Sequence, residues 1–211
     1  MAADASFQLP LFPLQTVVFP RGLLSLKVFE PRYLDLVTDC LRQGTSFGAI
    51  ALQSSAGSEA PSSARHGSGR LERVGVRAEL IDADADTERP GVVHLRCRGT
   101  DRFEVLSCTT QADGLRVAEV KALPADDAKP PTGEFLDTVR ALANAIASLK
   151  AQGTQPFLPP YQFDEAGWVA NRWCELLPIP LAAKQRLMEL PDPMIRLKLV
   201  DEFLRGKGVL G

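Results

Sequence analysis

The sequence predicts an α+β chain in two parts, a β-rich first lobe followed by a small helical bundle. Three observations carry this. Short apolar runs broken by turn residues fill the chain up to residue 124, and helical periodicity takes over at residue 133. Between them PADDAKPPTG has the composition of a linker. The expected boundaries are a β-rich lobe over 1–124, a linker over 125–132 and a helical lobe over 133–211. With 211 residues, 45% of them hydrophobic, the chain can bury one substantial core or two small ones.

The first lobe opens with LPLFPLQTVVFPRGLLSLKVFEPRY, an apolar run carrying Pro10, Pro13, Pro20 and Pro31. Proline biases its predecessor to extended geometry and is tolerated at strand edges. Leu9–Phe12, Thr16–Phe19 and Leu24–Phe29 are therefore expected as strands or extended connections, with a turn at Pro20-Arg21-Gly22. Pro31 suits the first position of a helix, where its missing N–H costs nothing. Leu34, Val37 and Leu41 recur at helical spacing beside Tyr33, and Gly44 suits the C-terminal cap. FGAIALQ reads as a buried strand, SSAGSEAPSSARHGSG as a flexible surface loop. In LERVGVRAELIDAD, Val74, Val76, Ala78 and Leu80 alternate with charged neighbours. VVHLRCRG and DRFEVLSCTT are expected to pair as a hairpin across Gly99-Thr100-Asp101, and LRVAEVKAL to follow as a further strand. So many short strands suggest an antiparallel-rich barrel or curled sheet.

In the second lobe Phe135, Val139, Leu142, Ile146 and Leu149 form one helical stripe. GTQPFLPPYQF interrupts it. Asp164 is expected to cap a helix carrying Val169, Trp173, Leu176 and Leu177, and PIPLAAKQRLMEL to hold a short one. Asp192-Pro193 opens the last helix, with Ile195, Leu199, Val200, Phe203 and Leu204 on its apolar side.

Charge and composition narrow the function. The net charge of -2 gives no electrostatic pull toward nucleic acid or anionic membrane. The first basic residue, Arg21, follows the start of the apolar run, which does not fit a secretory signal. Charges and prolines break that run too often for a bilayer span. A cytoplasmic protein without membrane association is expected. Cys40, Cys97, Cys108 and Cys174 show no C-x-x-C spacing and read as free thiols, and neither His66 nor His94 has a neighbouring cysteine at metal-ligand spacing. No metal or cofactor is expected.

The opening stretch, together with VGVRAEL, RCRGTDRFEV and the C-terminal LLPIPLAAKQRLMELPDPMIRLKLV, resembles the N-terminal, substrate-binding domain of Lon-type ATP-dependent proteases, above all the stand-alone bacterial forms of it. The resemblance covers nearly the whole chain. It implies a β-rich pseudo-barrel of the PUA-like kind followed by a helical lobe, and a non-enzymatic module binding unfolded or extended polypeptides or a dedicated protein partner. The phosphate loop G-x-x-x-x-G-K-[ST] of a Lon ATPase is absent, since Gly206-Lys207 is followed by Gly208. The protease motif P-S-A-G is also absent, with a near miss at Pro61–Ala64.

Six residues, Phe29, Arg32, Tyr33, Phe157, Tyr161 and Phe163, are candidates for the polypeptide-binding surface. Glu30 and Arg32 read as a locking ion pair at the helix start, or as the polar rim of a groove walled by Phe29 and Tyr33. Phe157, Tyr161 and Phe163 sit in a proline-stiffened loop, where they either dock between the lobes or expose an apolar patch. Two other readings compete. Arg70, Arg73, Arg77, Arg96, Arg98 and Arg102 could track RNA phosphates, although acidic residues are interleaved with them. GTSFG places Ser46 in a G-x-S-x-G pattern, but with a helix before it and a strand after it, the reverse of a nucleophile elbow.

Overall fold

In the computed structural model, residues 6–53 and 69–210 are described, and the chain divides into two compact units, Met1–Leu123 and Pro124–Gly211. Most of the loop expected over 54–69, with Pro61–Ala64 and His66, lies outside the described residues.

The first unit contains β1 (Ser6–Leu14), β2 (Leu23–Val28), α1 (Pro31–Gln43), β3 (Phe47–Ala51), β4 (Val74–Ala85), β5 (Val93–Thr110) and β6 (Arg116–Ala122). They form one six-stranded mixed sheet in the order β2-β5-β4-β3-β1-β6, with β5 also pairing with β6. This corrects the expected PUA-like pseudo-barrel. Counting hairpin-like runs foresees an antiparallel-rich arrangement and cannot show which strands become neighbours; the sheet is mixed, with β1 and β3 pairing in parallel from Leu11 opposite Gly48 to Leu14 opposite Ala51. A parallel pair needs a crossover, and β2 and α1 supply it.

The prolines of β1 sit where the ladder makes no demand on them. Leu52 N–H donates to the Leu14 carbonyl, so Leu14, Phe12, Pro10 and Gln8 turn their backbone groups toward β3. Pro10 thus lacks its N–H on the side where β3 has not yet begun. Pro13 lacks its own on the β6 side, beyond the last β1–β6 pair, Leu11 opposite Arg116.

Two other expectations change. Thr16–Phe19 is not a strand, although Val17, Val18 and Phe19 are buried. The hairpin at Gly99-Thr100-Asp101 does not form, because β5 runs unbroken through it. Gly99 serves close approach instead of a turn. Its N–H donates to Gly22 O, its carbonyl accepts from Arg21 N–H, and a Cβ there would lie 2.6 Å from Phe19 O.

The turn between β4 and β5 is tied by Asp86. Its carboxylate accepts from Glu88 N–H and Arg89 N–H, both at 3.0 Å, and meets His94 Nε2 at 3.0 Å and Lys27 Nζ at 3.3 Å. These partners, His94 foremost, hold the carboxyl well below the usual carboxylate range. A depressed folded pKa contributes stability that is full above the unfolded value, about 4, and drains as pH falls through the folded one. Asp86→Asn is therefore expected to lower the urea midpoint at pH 7, with the gap to the parent narrowing below about pH 4. A gap constant from pH 7 to pH 3 would contradict this.

The second unit holds a 3-10 turn (Gly133–Phe135), α2 (Leu136–Ala151), α3 (Ala166–Leu176), α4 (Leu181–Glu189) and α5 (Pro193–Gly206). Asp192 caps α5 as expected, its carboxylate accepting from Met194 N–H at 2.8 Å. Asp164 does not cap α3, whose N-cap is Glu165. The buried side of α5 is Arg196, Leu197, Val200, Asp201 and Leu204, while Ile195 and Leu199 are exposed. The expected stripe was rotated because a polar network, not apolar contact alone, sets this face. At its centre, Arg196 reaches Asp126, Asn171 Oδ1 and the carbonyls of Leu187 and Leu190.

Candidate functional site

A groove of about 570 Å³ opens in the first unit. It is lined by Phe7, Gln8 and Leu9 of β1, Cys40 and Leu41 of α1, the turn Gly44–Ser46, and Arg77, Glu79 and Leu80 of β4. Its origin is local. α1 buries Tyr33, Leu36, Val37 and Cys40, which leaves Leu41 on its margin, 57% exposed. Gly44 then ends the helix in the left-handed region at φ 65°, and the chain reaches Phe47 by a short link. Arg77 pins that link, donating from Nε and Nη2 to Ser46 Oγ at 3.2 and 3.0 Å. Its guanidinium carbon lies 5.9 Å from the centre of the Phe7 ring. The result is a semi-apolar trough with one positive and one negative side chain, Arg77 and Glu79, on the same wall.

The sequence candidates fall into two places. Around the start of α1, Arg32 Nη2 donates to Glu30 Oε2 at 2.6 Å and Nη1 to Gly114 O at 3.2 Å. The guanidinium also lies 4.9 Å from the centre of the Tyr33 ring. Tyr33 stacks on Phe12 at 4.2 Å and is only 3% exposed, so it is a core residue. Phe29 is 54% exposed. Phe29, Tyr33 and Glu30 share a shallow hollow with Phe12, Lys27 and Val28.

In the second unit, Phe157 is 2% exposed and packs edge-on to Trp168. Tyr161 and Phe163 are half-buried, with ring centres 5.9 and 5.3 Å from that of Trp168, and Lys150 Nζ lies 4.4 Å from the Tyr161 ring centre. The aromatics form one cluster whose centre, Trp168, is buried, and only Tyr161 and Phe163 keep an outward edge.

The sequence reading missed the groove. Its one signal is Leu41, an apolar residue at helical spacing near the C-terminal end of α1 that stays exposed.

The competing chemistries find little here. Ser46 Oγ is held by Arg77, and His94, the one histidine among the described residues, is engaged by Asp86. Burial raises the thiols of Cys97 and Cys174 to about 12. Among the described residues no cluster of His, Cys, Asp or Glu could hold a metal ion. The arginines of the sheet are met by acids. Arg73 pairs with Glu104 at 2.7 Å, Arg98 stands opposite Glu79 and Arg96 opposite Asp82, and Arg102 is buried. That is a charge-balanced sheet face, without a phosphate-tracking stripe. Among the described residues no helix is long and apolar enough to cross a membrane.

Comparison with known proteins adds to the geometry. The family model for the ATP-dependent protease La (LON) substrate-binding domain matches residues 8–206. A Lon N-terminal domain protein from Xanthomonas campestris has a solved structure that is 31% identical and superposes with a TM-score of 0.72, covering 92% of this chain and 96% of that one. The N-terminal domain of Mycobacterium avium complex Lon protease superposes at 0.61, with 93% of this chain and 97% of that one covered; at 14% identity the likeness is one of fold. The Lon protease of Anaeromyxobacter dehalogenans is 27% identical over 97% of this chain and 24% of its own length. Protein cereblon of Xenopus tropicalis is 28% identical over 57% of this chain and 25% of its own. The chain thus spans about a quarter of the length of these two curated relatives.

Proposed function

Because the chain belongs to the ATP-dependent protease La (LON) substrate-binding domain family, we propose that it is a non-catalytic module that takes up exposed apolar segments of other polypeptides. The observation that carries this reading is the groove of about 570 Å³, a solvent-open trough edged by Leu41, Phe7 and Leu80 on a sheet scaffold. Apolar burial there contributes roughly 25 cal/mol per Å², part of which offsets the ordering of a flexible client. The outcome is modest affinity and broad choice, which suits clients whose side chains vary. Phe29, with Arg32 at its rim, and the outer edges of Tyr161 and Phe163 are secondary contact surfaces in this reading. Tyr33 and Phe157 support them from beneath. A cytoplasmic location fits the four free cysteines, three of them buried.

The test is a fluorescence-anisotropy titration with a labelled, reduced and carboxymethylated protein that is unable to refold. Saturable binding in the micromolar range is expected. Leu41→Glu should weaken it about tenfold, or about 1.4 kcal/mol, and Phe29→Ser less. Equal affinity for the parent and Leu41→Glu would remove the groove from the reading. Salt-sensitive binding of RNA in its place would point to the nucleic-acid alternative.

A further inference from the structure

The groove lies where the sheet lacks part of a strand. In the strand order β4-β3-β1, β3 stands between the other two but is only five residues long, against twelve for β4 and nine for β1. Its first pairs are Phe47 with Ala78 on one side and Gly48 with Leu11 on the other. Among the described residues no strand continues the row before Phe47. β1 continues past this point over Ser6–Pro10, paired on its far side with β6. β4 continues over Glu79–Ala85, paired on its far side with β5. The residues of these two runs that border the gap, Phe7, Gln8 and Leu9 on one side and Glu79 and Leu80 on the other, are groove walls, with Gly44–Ser46 beside them.

Backbone alternation shows what those walls offer. The bond from Leu52 N–H to Leu14 O fixes the even-numbered residues of β1 as the ones facing β3. Gln8 therefore turns its N–H and C=O toward this row, while the C=O of Pro10 is already taken by the β3 ladder at Gly48. The bonds from Glu72 N–H to Ala51 O and from Gln53 N–H to Arg70 O fix the odd-numbered residues of β3 as those facing β4. Phe47 and Ala49, with their partners Ala78 and Val76, follow that alternation, so Leu80 turns its N–H and C=O into the same row from the other side.

Resting on the reading above, we propose that an extended segment of a client polypeptide enters this row as an added strand, continuing β3 between β1 and β4. Two facing sets of main-chain donors and acceptors specify a peptide backbone as the occupant, because only a strand satisfies both walls at once. The β1 side beyond β3, Ser6–Leu9, gives a strand of about four residues, roughly 13 Å long at ~3.3 Å per residue. Side chains of the added strand alternate between the face of the sheet that carries Leu9 and the face covered by α1, where Leu41 lies at the margin. Arg77 and Glu79 present opposite charges at the wall, so the main chain, not a charge pattern, supplies most of the recognition. The proposal also accounts for Pro10, whose missing N–H removes one demand from the row.

Amide hydrogen exchange tests this. In the free protein Gln8 and Leu80 amides are expected to exchange fast, while those of Phe7 and Leu9, which face β6, are slow. Saturation with the carboxymethylated polypeptide, or with a ten-residue peptide of alternating valine and threonine, should slow Gln8 and Leu80 at least tenfold. N-methylation of two successive central amides of the peptide should weaken its binding at least tenfold. If the polypeptide binds by anisotropy while Gln8 and Leu80 exchange unchanged, or if the N-methylated peptide binds as well as its parent, the added strand is wrong and the binding function stands. If neither ligand binds, the binding function is wrong and the added strand falls with it.

Discussion

Replacing Arg196 with alanine is expected to cost about 3–5 kcal/mol of stability, because it leaves a buried charge-pairing site without its cation. Arg196 is 1% exposed in the second unit. Its guanidinium takes Asp126 with both Nη atoms, at 2.6 and 3.2 Å, and also donates to Asn171 Oδ1 at 3.0 Å and to Leu187 O at 2.8 Å. It satisfies the Leu190 carbonyl as well, so one side chain closes the C-terminal end of α4 and anchors the chain at Asp126. Gly167 belongs to the same arrangement, since a Cβ there would lie 2.6 Å from Asp126 Oδ2. Lysine at position 196 should not rescue, because a point charge cannot reproduce the planar fork. Both tryptophans of the chain, Trp168 and Trp173, lie in this unit, so their fluorescence during urea unfolding reads the effect directly. A loss below about 1 kcal/mol would place Arg196 among ordinary surface ion pairs and contradict the packing described.

The second large effect is expected at Phe103, where alanine should cost about 3–5 kcal/mol. Phe103 is fully buried among Leu9, Leu11, Ile50, Ala118 and Val120. Neighbouring strands are shaped around its ring. A Cβ at Gly48 would lie 2.7 Å from Phe103 Cζ, and one at Gly75 2.5 Å from the same atom and 2.8 Å from Ala49 O. The two glycines open the space that the ring fills, and with alanine at 103 that space becomes a cavity bordered by backbone that cannot collapse into it. Denaturation followed by far-UV circular dichroism reports the loss. Phe103→Leu should recover more than half of it, and a loss for Phe103→Ala under about 1 kcal/mol would show that the site repacks.

Much of the fold was legible because periodicity and caps are local. Pro31 and Gly44 bound α1, Asp192 and Pro193 open α5, and the alternation of Val74 to Leu80 marks β4. What escaped depends on partners distant in sequence. Gly99 looks like a turn residue by itself, and its role within a continuous strand is set by the backbone at Phe19. The parallel pairing of β1 with β3 leaves no trace in either strand's pattern. The buried side of α5 could not be read from apolar spacing, because Arg196 and Asp201 are buried through hydrogen bonds supplied by other segments. The site was legible in part. The family resemblance pointed to polypeptide binding; of the candidates it suggested, Phe29 is exposed, whereas Tyr33 and Phe157 are core. The groove arises from a strand that is too short for its neighbours, a length mismatch visible only once the register is known.

The central claim is that the module distinguishes polypeptides by their folded state. The most direct measurement titrates one labelled polypeptide of fixed sequence in two forms, native and permanently unfolded, against the purified protein. The account predicts saturable binding of the unfolded form and none of the native form at tens of micromolar, a limit near −6 to −7 kcal/mol. Equal binding of both forms, or of neither, would contradict it.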